Sequence, residues 1–250
     1  MDQTLPAAVA ADPAPEIAEL ARRYQRANGP VMRLVNRLGG RLERQLDLVP
    51  ARFRGQIERA TAQALEAAYG IAARAPELGE RGPMVAVVAS GAAGGAGGIA
   101  TALAELPVTV TLLLNAIRAE ARAAGLDPDE PGVREECLRV FGAGTPLASD
   151  DGVNTSFLTA RLSVTGQAVQ GLIAAVAPRL AAALGPKLVA QAVPVLGAVS
   201  GAALNVAFLN YYREIARIRF ALLRLAAQHG AEPVLQAFAT AVEPPRLVRA

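Results

Sequence analysis

The sequence has no Trp, and Phe and Tyr bring the aromatic share to only 4%. A core filled by large rings is excluded. Cys137 stands alone, so no intrachain disulfide can form. His229 is the only His, and one His with one Cys cannot make a structural zinc site. A Ser–His–Asp or Cys–His nucleophile would have to use His229. That residue abuts Gly230 at a helix end, which suits a cap better than catalysis. Cys137 lies among apolar residues and reads as an inert, buried thiol. No nucleophile–base pair is legible, so no catalytic residue, cofactor or metal is expected. The N-terminus also lacks a basic segment followed by an apolar one; Asp2 and Asp12 flank a Pro/Ala tract instead. This predicts a chain in the cytoplasm or at the cytoplasmic face of the membrane, and not a secreted one.

What is plentiful is small and apolar. The apolar share is 52%, carried by Ala, Gly, Val and Leu. Side chains of this size let helix backbones approach closely. The net charge is +3, unevenly spread, and Lys187 is the only Lys. Residues 20–60 hold ten arginines against Glu43, Asp47 and Glu58, a net of +7. Such a segment suits a solvated helix face, an anionic membrane surface or an acidic partner. Nucleic acid is not expected as a partner, because few aromatics interleave with the arginines.

The stretch around which the chain is organised is 187–225. No charge occurs between Lys187 and Arg213. Pro194 suits a first helical turn, and the spacing predicts one helix over about 194–228. Gly197, Gly201, Leu204, Asn205, Phe208, Tyr212, Ile215, Arg219 and Leu222 share one face. This helix starts apolar all round and ends amphipathic. The second charge-free stretch is 84–104, with Gly91, Gly94, Gly95, Gly97 and Gly98. As a helix it places small residues at i, i+4, Gly91 with Gly95. Each Gly costs about 1 kcal/mol relative to Ala, so only very close packing could offset them. A mobile loop and a loose dinucleotide fingerprint (Gly95, Gly97 and Ala100, with Glu120 beyond) are competing readings. The fingerprint lacks the alternating strands and helices that a parallel sheet needs.

In chain order, 1–15 reads as a flexible tail and 16–27 as a short helix. A basic amphipathic helix follows over 31–46. Its Val31, Leu34, Val35, Leu38 and Leu42 oppose Arg33, Arg37, Arg41 and Arg44. Its apolar stripe can pack on the body or lie on a bilayer. Further helices are predicted over 51–75, from Pro107 to about 124, over 132–141, over 155–177 with a break or kink at Pro178, and over 233–242. Gly125 and Gly230 are stops. The reading is all-α: a single multi-helix bundle around two Gly/Ala-rich apolar helices. Residues 16–82 form a basic helical arm, 83–243 the core and 244–250 a tail.

Three motifs resemble the EcsC family. Glu105-Leu106-Pro107 continues into Thr109, Thr111, Ile117 and Arg118. Glu136-Cys137-Leu138 precedes Val140-Phe141-Gly142. The longest runs from Lys187 through Ala190-Gln191, Pro194, Gly197-Ala198, Gly201-Ala202, Asn205 and Phe208 to Ala216-Arg217 and Phe220. Two positions depart from the family pattern: Arg219 stands where His is usual, and Ser200 where a second Gly is common. The family is named for a protein encoded beside the subunits of an ABC-type transporter, and it brings no agreed catalytic residues. The resemblance implies a membrane-associated accessory of transport or secretion, with such subunits as possible partners.

The polar residues set on apolar faces are the candidate site: Glu105, Thr109, Arg161, Gln191, Asn205 and Arg219. A buried Arg is costly unless paired, so Arg219 or Arg161 is expected to pair with Glu105 or with Asp150 and Asp151. Gly91, Gly95, Gly197 and Gly201 are the expected helix-packing positions, and Arg33, Arg37, Arg41 and Arg44 the membrane-surface set. Two functions compete, ahead of an enzyme that could act only through a cluster of Glu105, Arg219 and Asp150. One is a non-enzymatic accessory at the cytoplasmic face of the membrane. The other is a soluble module that binds a small molecule or lipid in a pocket lined by Thr109, Asn205 and Gly201. The runs 84–104 and 188–212 approach the length of about 20 apolar residues that spanning requires.

Overall fold

The computed structural model describes residues 12–27, 51–71, 82–96, 99–142, 166–190 and 196–242. The arginines at 33, 37, 41 and 44, together with Asp150, Asp151, Arg161 and Gln191, lie outside them. The described residues form eight helices and no strand: α1 Ala14–Ala27, α2 Ala51–Ile71, α3 Gly82–Ala96, α4 Ile99–Ala123, α5 Pro131–Val140, α6 Gly166–Ala190, α7 Leu196–His229 and α8 Ala231–Val242. The all-α reading holds, and the helices pack as a bundle.

The predicted helix over 84–104 is two helices. α3 ends at Ala96 and α4 starts at Ile99, on either side of Gly97-Gly98, where the sequence places the greatest local helix cost. Glu105 therefore belongs to α4. Pro107 lies inside α4 and not at its start. It sits on the exposed side of the helix, where the carbonyl left without an N–H partner can be hydrated. For the same reason Pro178, also exposed, does not end α6, which runs on to Ala190. The glycine stops are as expected. Gly125 and Gly230 have φ of 79° and 89°, a left-handed conformation that a Cβ disfavours.

α7, at 34 residues, touches nearly every other element. α3 lies along its first half, antiparallel, with Gly91 beside Gly201 and Val87 beside Asn205. α4 returns antiparallel to α3, with Thr101 Oγ1 donating to the Gly94 carbonyl at 2.7 Å. α2 packs along α4 and α6. The main core runs through α2 to α7, from Leu65, Leu106, Leu113 and Ile117 to Phe141 and Phe208. Rings are few but gathered. Tyr212 stacks on Phe208 at 6.3 Å between centroids and meets Phe141 edge-on at 5.1 Å. A second core seals the far end, where Ile17, Leu20 and Ala21 of α1 pack on Ile218, Leu222 and Leu225 of α7 and on Val234 and Phe238 of α8.

Among the described glycines, Gly91 has the least room for a side chain. A Cβ at Gly91 would lie 2.5 Å from the Gly201 carbonyl oxygen and 2.8 Å from Asn205 Nδ2. A Cβ at Gly94 would lie 2.9 Å from the Glu105 Cβ. In the first case the obstacle is backbone, which cannot move aside. Gly95 is buried on the same helix, and Gly197 lies in the first turn of α7.

Gly91→Ala should therefore destabilise the fold by about 1–3 kcal/mol or more, the cost of overpacking. Gly171→Ala should stabilise it by about 0.5–1 kcal/mol, because Gly171 lies inside α6 with nothing within 4 Å of its missing Cβ. Urea unfolding of the two variants checks both signs.

Candidate functional site

Two buried polar clusters lie on α7, about four helical turns apart. The first is built by three helices. Glu105 of α4 is buried, with Thr109 one turn further along the same helix. Ser90 of α3 and Asn205 of α7 face them. The hydroxyls of Ser90 and Thr109 both donate to Glu105 Oε1. Asn205 Nδ2 donates to the same oxygen at 3.0 Å and also lies 3.1 Å from the Val87 carbonyl and 3.2 Å from Thr109 Oγ1. One carboxylate oxygen thus collects donors from all three helices. Each link also fixes where one helix sits along another, so the cluster sets register as well as affinity. Asn205 Oδ1 has no hydrogen-bond partner among the described residues.

The second cluster joins α7 to α5. Arg219 is fully buried, and Glu136 is 3% exposed. Arg219 Nε donates to Glu136 Oε2 at 2.5 Å, and its Nη2 contacts the same oxygen. Arg139 adds a second cation at 3.4 Å from Glu136 Oε1. Burial pulls the Arg219 guanidinium below its usual range, and the Glu136 carboxylate opposes that shift. Cys137 adjoins this pair. Burial pushes its thiol up to about 12, so at neutral pH it is a packed apolar group and not a nucleophile. The Tyr212 hydroxyl is buried without a partner among the described residues, and burial raises it above the ordinary phenol range.

The sequence-predicted set divides accordingly. Glu105, Thr109 and Asn205 come together, with Gly91 and Gly201 against them. Arg219 does not join them. The expected pairing of Arg219 with Glu105 is replaced by the pair with Glu136, which lies on the helix that packs against the second half of α7. Arg161, Gln191, Asp150 and Asp151 fall outside the described residues, and so does any pairing of Arg161. Sequence reasoning missed Ser90 as a donor and Glu136 as the partner. A signal for the second exists: Val133, Glu136, Cys137 and Val140 share one face of α5, so Glu136 sits mid-stripe just as Arg219 does on α7.

Other ion pairs knit the charged half of the bundle. Glu120 of α4 accepts from Arg213 at 3.0 Å and from Arg217 at 2.6 and 2.9 Å. Glu214 accepts two hydrogen bonds from Arg23 of α1. Buried Arg118 donates to the Pro128 carbonyl at 2.9 Å and to Asp129 at 2.7 Å, closing the turn between α4 and α5. That bond holds the Asp129 carboxyl below the usual carboxylate range.

Arg219→Leu should cost up to about 3–5 kcal/mol, because it leaves the buried Glu136 carboxylate with only Arg139, at 3.4 Å, as a cation. Arg219→Leu with Glu136→Leu should recover most of the loss in the same unfolding measurement. Cys137 should resist Ellman's reagent at pH 8 until the protein unfolds. Since the folded state disfavours the thiolate, its contribution to stability is intact below the unfolded thiol's pKa. It falls away as pH rises from about 9 toward about 12, which melting curves across that range would show.

A model of the EcsC protein family matches residues 56–225, from the first turns of α2 to near the end of α7. No curated protein and no solved structure matches the chain. The matched span holds both buried clusters and the glycine contact, and on this match the chain belongs to the EcsC protein family.

Proposed function

We propose that the protein is a non-enzymatic, membrane-associated accessory of transport or secretion at the cytoplasmic face, with ABC-type transporter subunits as partners suggested by the family. The observation that carries the membrane part is the division of charge along α3, α4 and α7. Between Arg81 and Arg118 the only charged residue is Glu105, and it is buried. Between Lys187 and Arg213 there is none. One end of this three-helix unit is therefore uncharged at its surface. The other end carries Arg118, Glu120, Arg213, Glu214 and Arg217.

Association by contact fits these helices better than crossing by α3, whose 15 residues reach about 22 Å against a hydrocarbon core of roughly 30 Å. Among the described residues one helical segment, Thr101–Ala123, is long and apolar enough to cross, with mean hydropathy 1.4 and 56% of its most apolar 18-residue stretch buried. About half of that stretch is thus committed to the protein core. The basic stretch supplies electrostatic attraction of roughly 1 kcal/mol for each Arg near an anionic leaflet.

Vesicle flotation tests this reading. The full chain should float with vesicles containing phosphatidylglycerol, less so as salt rises. Replacing Arg33, Arg37, Arg41 and Arg44 with Gln should weaken binding by up to about 4 kcal/mol, roughly a thousandfold. A soluble ligand-binding module would stay unbound at every salt concentration.

A further inference from the structure

In the polar cluster around Glu105, the Asn205 amide is the group whose hydrogen bonds do not balance. Its Nδ2 faces three oxygens: the Val87 carbonyl at 3.1 Å, Glu105 Oε1 at 3.0 Å and Thr109 Oγ1 at 3.2 Å. An amide nitrogen has only two hydrogens to give them. On the other side of the same amide, Oδ1 is buried with no hydrogen-bond partner among the described residues. Asn205 as a whole is 0% exposed, so water does not make up the difference from a surface. A buried carbonyl oxygen in that state carries its full desolvation penalty.

Turning the amide over changes what the cluster can hold. Its oxygen and nitrogen are alike in size, so the turn costs little in packing. Oδ1 then faces the three oxygens that Nδ2 faces now, and they repel it unless a positive ion lies between. The two hydroxyls have another outlet for their hydrogens. Thr61, Thr111 and Thr240 each donate to the carbonyl four residues back, at 2.7, 2.7 and 2.9 Å. Ser90 and Thr109 also lie inside helices and can donate to the carbonyls of Ala86 and Glu105 in the same way. Their oxygens, 3.5 Å apart, then turn lone pairs inward.

We infer that Glu105, Ser90, Thr109, Asn205 and the Val87 carbonyl form a binding site for a small monovalent cation of the sodium class. Ligands that are all oxygen favour a hard ion. Their charge sets its valence. Divalent sites gather several carboxylates, and among the described residues no three His, Cys, Asp or Glu side chains come together. Here one carboxylate balances one positive charge. Backbone contact sets the size. A Cβ at Gly91 would lie 2.8 Å from Asn205 Nδ2, so the α3 backbone stands directly behind the amide, which cannot retreat to make room for a larger ion. Glu105, Thr109 and Asn205 are buried while Ser90 is half-buried, so the ion enters and leaves past Ser90. The ligands come from α3, α4 and α7, and the ion therefore binds the folded bundle and not the unfolded chain.

The test is urea unfolding of the full chain in sodium, potassium or choline chloride at equal ionic strength. An ion that binds only the folded state lowers the unfolding constant by the factor 1 + [L]/Kd. Exchanging choline for sodium at about 150 mM should lower it by about tenfold, in a response that saturates. Potassium should give a smaller response; one as large as sodium's would overturn the choice of a small ion. Glu105→Gln, close in shape but uncharged, should lose the sodium response. Should that variant fail to fold, Ser90→Ala removes one ligand at a half-buried helical position and should leave less than half of the response. Thr240→Ala, at an exposed position on α8, should keep all of it. Equal unfolding of wild type in sodium and choline chloride overturns the site. So does a sodium response that Ser90→Ala retains in full, because the ion would then lie elsewhere. The measurement contains no lipid, so its failure leaves the membrane reading where it stands.

Discussion

The structure depends on the contact of two backbones at Gly91 and Gly201. Three helices can share one buried carboxylate oxygen only if α3 lies close enough to α7 for Asn205 to reach both the Val87 carbonyl and Glu105. A single methyl group at Gly91 would lie 2.5 Å from the Gly201 carbonyl oxygen, well inside van der Waals contact, so the approach exists only because that atom is missing. The conformational cost of glycine in a helix is offset by what the approach permits: dispersion contacts between backbones and a polar cluster with donors from each helix.

The two buried clusters on α7 do different work. Around Glu105 the donors are neutral hydroxyl and amide groups, and the cluster joins the uncharged halves of α3, α4 and α7. Around Arg219 two opposite charges meet away from water, and α5 is held against the amphipathic half of α7. Removing one partner of such a pair is far more costly than removing both. Its role is thus to fix which surface of α5 faces α7. Between the clusters the helix carries Phe208, Tyr211, Tyr212 and Ile215 into the main core, so the polar groups are separated by the few rings the chain possesses. Along α3, α4 and α7 the charged residues lie toward one end, apart from the buried Glu105.

Much of this was legible in the sequence. The charge-free run before Arg213, the small residues at i, i+4 and the stops at Gly125 and Gly230 gave α7, the glycine contact and two helix ends, because each rests on a local rule. Glu105, Thr109 and Asn205 stood out as polar residues on apolar faces, and they do meet. What was not legible required knowing which helix faces which. Arg219 announced the need for a carboxylate but not its address. Glu136 is 83 residues away in sequence, and only the packing of α5 on α7 brings it there. The division between α3 and α4 was missed for a different reason. Pro107 reads as a helix start by local propensity, yet an exposed proline is tolerated within a helix, and Gly97-Gly98 is the stronger punctuation.

A double-mutant cycle on Glu105→Leu and Asn205→Ala, followed by urea unfolding, measures the central contact most directly. The account predicts that the two positions are coupled by about 1–3 kcal/mol. Additive losses, with a coupling indistinguishable from zero, would mean that α4 and α7 do not share this cluster, and the close approach of the glycine-bearing helices would lose its purpose.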